Sequence, residues 1–203
     1  MMCQAKRAGY ERQHTALDLH DRKCDQNLAR LHKAGITGVR TVSGDACELN
    51  EVLTSFDAIL GEPALFDTVF IDAPCSGTGT MRRHPEIPWR LTENDVTTEL
   101  PKLQLTMLKE AAARVAAGGE LIYATCSVFD EENTQVVDAF LASSEGAGFI
   151  VAPLSEAQIL QLPEYDHAKS LVTLRQNPRG LFQSVPVNAD SYDGHFCARL
   201  VHK

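Results

Sequence analysis

Apolar positions along this chain fall into short runs that stop abruptly, separated by longer stretches in which they recur every three or four residues. The runs are Thr15–Leu19 (TALDL), Val39–Val42, Phe66–Ile71, Leu121–Ala124 and Phe149–Ala152. Runs that are apolar almost throughout, without polar alternation, predict strands buried on both faces. The helical period appears between them: Cys24, Leu28 and Leu31 follow a capping Asp21 and precede Gly35, where a C-terminal stop belongs. A second helix is expected over 97–116, dense in Leu, Ala, Lys and Glu and stopped by Gly118–Gly119. A third is expected from Glu131 to Ser143, with Asp130 or Val128 near its cap. The stretch to Pro63 is ambiguous, with a short helix around Glu48–Ser55. Residues 1–14 read as a helix tail and a turn at Gly9, and residues 154–180 as irregular. Pro85 and Pro88 forbid a long helix in the polar passage after Gly79. Residues 181–187 and 195–201 predict a closing antiparallel pair. Alternating strands and helices predict an α/β fold: a mostly parallel sheet covered on both faces, with an antiparallel terminal strand, in one domain over residues 1–203.

Composition narrows this only at the margins. The chain has 203 residues, 44% hydrophobic and 23% charged, which suits a globular domain with a substantial core. No run approaches the roughly 18 apolar residues of a membrane span, and no signal peptide opens the chain, so a soluble, cytoplasmic protein is expected. The net charge of −8 argues against a broad basic surface for nucleic acid. The six cysteines (Cys3, Cys24, Cys47, Cys75, Cys126, Cys197) lack CxxC or Cys/His ligand spacing, so no metal site is expected.

The candidate chemistry sits at strand ends. The Phe66–Ile71 run gives way to Asp72, Ala73, Pro74, Cys75, Ser76 and Gly77, and the Leu121–Ala124 run to Thr125, Cys126 and Ser127. Two thiols at the carboxyl ends of two parallel strands would share the crevice in which open α/β sheets bind ligands. A lone cysteine near a strand is more often a packed small hydrophobe. These two, flanked by Thr, Ser, Pro and Gly, have instead the exposure and backbone donors that favour a thiolate. Cys24 reads as helix core, and Cys197 as strand core. Asp18, Asp45 and Asp72 stand at three successive strand ends, where a carboxylate can accept hydrogen bonds from ribose hydroxyls or simply favour a turn. No G-x-G-x-x-G occurs; Gly77 and Gly79 form only a G-x-G.

DAPCSGTG followed by RRHPEI, then ATCSV followed by EEN, then a terminal DGHFCARL, closely resembles the Sun/Fmu-type RNA cytosine carbon-5 methyltransferases, over roughly residues 15–145 and the last dozen. The resemblance implies a Rossmann-like fold, S-adenosylmethionine as methyl donor and RNA, ribosomal in this family, as substrate. It implies that Cys126 forms a covalent adduct at pyrimidine carbon-6, that Cys75 assists proton removal and product release, and that Asp72 holds the pyrimidine edge. Exchange of the two cysteine roles is the rival within this chemistry. On the cofactor side it implies Asp18 at the ribose, Asp45 at the adenine amino group, and Asp72 with Pro74, which shapes the turn. Arg82, Arg83 and His84 could meet RNA phosphates or form an ordinary solvated turn, and Trp89 could stack on a base or be packed. The family's first strand and its glycine-rich, lysine-bearing loop have no counterpart here. That strand would lie between the TALDL and TVFID strands, so a truncated sheet and weak cofactor binding by this chain alone are expected. The rival readings are a non-catalytic remnant that binds RNA or protein, and, last, a thiol hydrolase, for which no His in a triad setting is seen.

Overall fold

In a computed structural model the described residues are 14–155, 176–186 and 192–203. The helix tail expected before residue 14, Cys3 and most of the stretch expected to be irregular lie outside them. The chain divides into two compact units, one ending at Ala64 and the other spanning Leu65–Lys203.

In the first unit, strands β1 (His14–Asp18) and β2 (Val39–Ser43) pair in parallel, with Asp18 opposite Ser43. Helix α1 (Asp21–Lys33) connects them. Its buried residue is Cys24, whose thiol lies 3.4 Å from the Val42 carbonyl, as expected for a helix-core cysteine. The ambiguous stretch resolves into a 3-10 turn over Ala46–Glu48 and two short helices, α2 (Leu49–Val52) and α3 (Thr54–Leu60). Gly61, at φ 77°, ends α3 in the left-handed conformation.

The second unit holds a sheet in the order β3-β4-β7-β5. Strand β3 (Phe66–Asp72) is parallel to β4 (Val115–Thr125), and β4 is antiparallel to β7 (His195–His202). Strands β5 (Phe149–Val151) and β6 (Phe182–Ser184) pair antiparallel with opposite ends of β7. Among the described residues no strand pairing joins this sheet to β1 and β2. Helices α4 (Leu100–Ala112) and α5 (Thr134–Leu141) contribute Leu108, Ala111, Val136, Val137 and Phe140 to the core. The sheet contributes Ile71, Leu121, Tyr123, Phe196, Ala198 and Leu200, which the registers place on one face. Within this unit that is the covered face: Phe70, on the other, is 58% exposed.

The expected boundary of the second long helix is wrong. The helix ends at Ala112, and the segment read as its last turn begins β4 instead. Alanine-rich sequence carries helix propensity whatever its context. Here, however, Val115 is buried as the partner of Phe66, whose N–H donates to Arg114 O at 2.9 Å. Tertiary pairing overrides the local preference. The two glycines read as a stop lie inside the strand, where the register with β3 shifts. The third helix is also shorter than expected at its start, because residues 130–133 form a hydrogen-bonded turn.

Candidate active site

Strands β3 and β4 are parallel neighbours, so the loops after them emerge side by side. Cys75 and Cys126 end up with their sulfur atoms 3.2 Å apart. The Cys126 N–H also donates to Cys75 Sγ at 3.3 Å. Gly77, at φ 72°, turns the first loop back through a conformation that few other residues adopt. The Gly79 N–H then donates to Cys126 O at 2.8 Å, and the Gly194 N–H, just before β7, donates to Gly79 O at 2.8 Å. Three segments distant in sequence thus meet around the thiols.

The two thiols differ electrostatically. The hydrogen bond from Cys75 pulls the Cys126 thiol down from its ordinary 9.0 to about 7, against burial and the fields of the Asp72 and Glu132 carboxylates, which raise it. Donating that bond drives Cys75 strongly upward, and burial adds to the effect. Above about pH 7 the pair is a Cys126 thiolate accepting from a Cys75 thiol. Cys197, in β7, is half-buried and raised by burial.

This assignment has a direct consequence for reactivity. Only the thiolate alkylates, so iodoacetamide modification of Cys126 should rise with pH through about 7, two units below an ordinary thiol. In Cys75→Ala the lowering hydrogen bond is lost while burial and the two carboxylates remain. The midpoint should therefore move upward. Mass-spectrometric alkylation profiles of the two proteins check both points.

Beneath the thiols lies a buried polar layer that sequence reading missed. Ser76, Thr78, Gln104, Thr125, Ser127, Glu132 and Asn133 are all buried. The Val128 N–H donates to Thr78 Oγ1 at 3.2 Å, tying the second loop to the first. The only trace in the sequence is the EEN after ATCSV, and nothing in a polar tripeptide marks one of its acids as fully buried. An open cleft of about 360 Å³ beside the loops is bordered by Thr78, Met81, Pro88, Leu91, Val96 and Phe129; neither cysteine lines it.

The remaining expected site residues are placed as follows. Asp72 ends β3, paired with Ala124, and its field reaches Cys126. Pro74 offers its carbonyl to Gln104 Nε2 at 2.9 Å. Arg83 donates from Nε to Asp193 Oδ2 at 2.8 Å, and Arg82 lies 3.9 Å from the same carboxylate. That ion pairing holds the Asp193 carboxyl below its usual range. His84 lies 3.4 Å from Glu86, and Trp89 is 90% exposed, so it is not packed. Asp18 and Asp45 belong to the first unit. Asp18 Oδ1 accepts from the His20 N–H at 3.0 Å and is 3.9 Å from Lys23. Asp45 Oδ1 accepts from the Cys47 N–H at 2.8 Å. Each carboxylate commits one oxygen to its own turn, and no partner is seen for the other among the described residues. That chemistry fits the hydroxyls and amine of an adenosine group.

Comparison with known proteins places this arrangement. Residues 6–201 match the sequence profile of the family described as 16S rRNA methyltransferase RsmB/F. The ribosomal RNA small subunit methyltransferase B of Salmonella arizonae is 38% identical over 138 residues, covering 68% of this chain and 27% of that protein. Its counterpart from Klebsiella pneumoniae is 46% identical over 82 residues, 40% of this chain and 19% of that one. The chain thus spans about a quarter of the length of the first of these relatives. Among solved structures, PH0851 aligns with a TM-score of 0.70 at 29% identity, over 93% of this chain and 36% of that one. NSun6 from Pyrococcus horikoshii, solved with SFG, aligns at 0.66 and 20% identity, over 94% and 41%, which shows the shared fold.

Proposed function

This chain belongs to the RsmB/F family of 16S ribosomal RNA methyltransferases, and from that premise we propose that it carries the catalytic apparatus for methylating carbon-5 of a cytosine in ribosomal RNA. The observation that carries the reading is the thiol pair: sulfur atoms 3.2 Å apart, with one thiol lowered at the other's expense. Cytosine carbon-5 is a poor nucleophile. Addition of the Cys126 thiolate to carbon-6 makes carbon-5 enamine-like and able to take a methyl group. Ring nitrogen 3 takes up a proton from solvent as the thiolate adds, and Asp72, whose field reaches the pair, holds the pyrimidine edge by accepting a hydrogen bond from it. The carbon-5 proton then passes to solvent with assistance from Cys75; the electron pair it leaves expels the Cys126 thiolate from carbon-6, nitrogen 3 gives up its proton, and the aromatic ring is restored.

S-adenosylmethionine supplies the electrophilic methyl group. Within the second unit, Asp72 and Pro74 would border its reacting end. Arg82, Arg83 and His84 would meet RNA phosphates, with Asp193 fixing the arginine heads in place. A base must leave its stack to reach the thiols, as in other base-modifying enzymes.

The test is methyl transfer by the native full-length protein. Small-subunit ribosomal RNA incubated with methyl-labelled S-adenosylmethionine should yield labelled 5-methylcytidine on digestion to nucleosides. Label on a ribose hydroxyl or on another base would overturn the proposal, as would no label.

A further inference from the structure

Both cysteine loops are anchored on a single carboxyl group. Glu132 is fully buried. Its Oε1 accepts from the Ser76 N–H at 2.8 Å and from Gln104 Nε2 at 3.0 Å, while its Oε2 accepts from the Ser127 hydroxyl at 2.5 Å. Ser76 and Ser127 are the residues immediately after Cys75 and Cys126, so each oxygen holds the neighbour of one thiol. The Ser76 hydroxyl closes the arrangement by donating to Ser127 Oγ at 3.2 Å.

Glu132 is itself held from several sides. Its carbonyl accepts from the Tyr123 hydroxyl at 2.6 Å. The adjacent Asn133 accepts from Thr125 Oγ1 at 2.6 Å and donates to Ser127 O at 3.0 Å. Gln104, on α4, gives its amide nitrogen to both Pro74 O and Glu132, leaving its own Oε1 buried with no hydrogen-bond partner among the described residues. A buried orphan acceptor is costly. Two acceptors that both demand the amide nitrogen impose that orientation.

We propose that Glu132 is the positioning residue of the thiol pair, setting the separation at which Cys75 and Cys126 share a hydrogen bond and so work as nucleophile and releasing group. It touches neither substrate nor reacting atom, and it acts through Ser76 and Ser127. Misplacing a reacting group by about 1 Å can cost roughly 100-fold in rate, and two loops released from a common anchor can each drift that far. The carboxylate also acts through space: its field raises the Cys126 thiol, together with that of Asp72 on β3 and against the hydrogen bond from Cys75. Arg83 is the cation coupled to Cys126, and the neutral Tyr123 phenol lies on β4. Geometry and charge therefore push Cys126 in opposite directions, and two substitutions separate them.

The inference rests on the reading of Cys126 as nucleophile, and the experiment tells the two apart. Glu132→Gln keeps one oxygen for Ser76 and Gln104, fills the same volume and removes the charge. Its Cys126 alkylation midpoint should fall below that of the unsubstituted protein. Glu132→Ala removes the anchor, so the lowering bond from Cys75 is lost. The midpoint should rise, and kcat for RNA methylation should drop about 100-fold with KM for RNA unchanged. If Glu132→Ala does not fold, Glu132→Asp takes its place: it keeps the charge but falls a methylene short, and its midpoint should also rise. Shifts of the same sign in the Gln and the anchor-breaking variants, or unmoved midpoints with lowered Tm, would make Glu132 merely structural and overturn the proposal. Failure of the nucleophile reading shows elsewhere: unsubstituted protein forms no Cys126 adduct on 5-fluorocytosine RNA while the two midpoints still diverge.

Discussion

Replacing Cys126 with alanine should reduce methyl transfer at least about 10⁴-fold, the scale on which an enzyme loses rate when its covalent nucleophile is removed. It should also abolish the covalent complex with RNA carrying 5-fluorocytosine, in which fluorine replaces the carbon-5 proton and blocks elimination. The complementary replacement should behave differently. Cys75→Ala retains the nucleophile, so the adduct should still form and, on ordinary cytosine, accumulate because its release is impaired. Adduct formation in that variant should need a higher pH, since Cys126 loses the hydrogen bond that holds it near 7. Denaturing gels with labelled RNA, run across pH, read both outcomes. A covalent band lost in Cys75→Ala and kept in Cys126→Ala would reverse the two roles.

Gly79→Ala should be a severely damaging small substitution in the second unit. An added Cβ would stand 2.1 Å from Gly194 O, 2.7 Å from Gly194 C and 2.8 Å from Cys126 O. All three are backbone atoms, which cannot swing aside as a side-chain tip would. Relief requires separating the strand-end loop of β3 from that of β4 and from the segment entering β7. A cost of about 3 kcal/mol or more is expected, at the upper end for overpacking, with Tm lowered by roughly 10 °C. Gly118→Ala is the control. Its Cβ would meet nothing within 4 Å, and only the left-handed φ of 74° is strained, at a cost of about 1–2 kcal/mol. Equal losses in thermal melts of the two variants would show that close approach at Gly79 is not the cause.

That pair of glycines also shows where sequence reading stops. In the sequence, Gly77 and Gly79 look like a weak phosphate-loop signal, and Gly118–Gly119 like a helix stop. In the fold, Gly79 is where two backbones touch and Gly118 lies inside β4. A glycine records that a side chain is forbidden, not what forbids it. Asp193 and Gly194 were legible only as part of a terminal motif, yet one engages Arg83 and the other bonds Gly79.

By itself the sequence determined the strand–helix alternation, the parallel pairing of the two thiol-bearing strands and which two cysteines would meet. Period, abrupt strand ends and flanking small residues are local signals, and a crossover between parallel strands leaves little freedom in where their carboxyl ends emerge. Tertiary structure alone decided the rest. It set the 3.2 Å between sulfur atoms and the unequal thiols. It turned the end of an alanine-rich stretch into strand, and it buried one acid of EEN beneath both loops. The physical reason is common to all of these: each depends on groups distant in the chain, and hydrogen-bond geometry and desolvation exist only once folding brings those groups together.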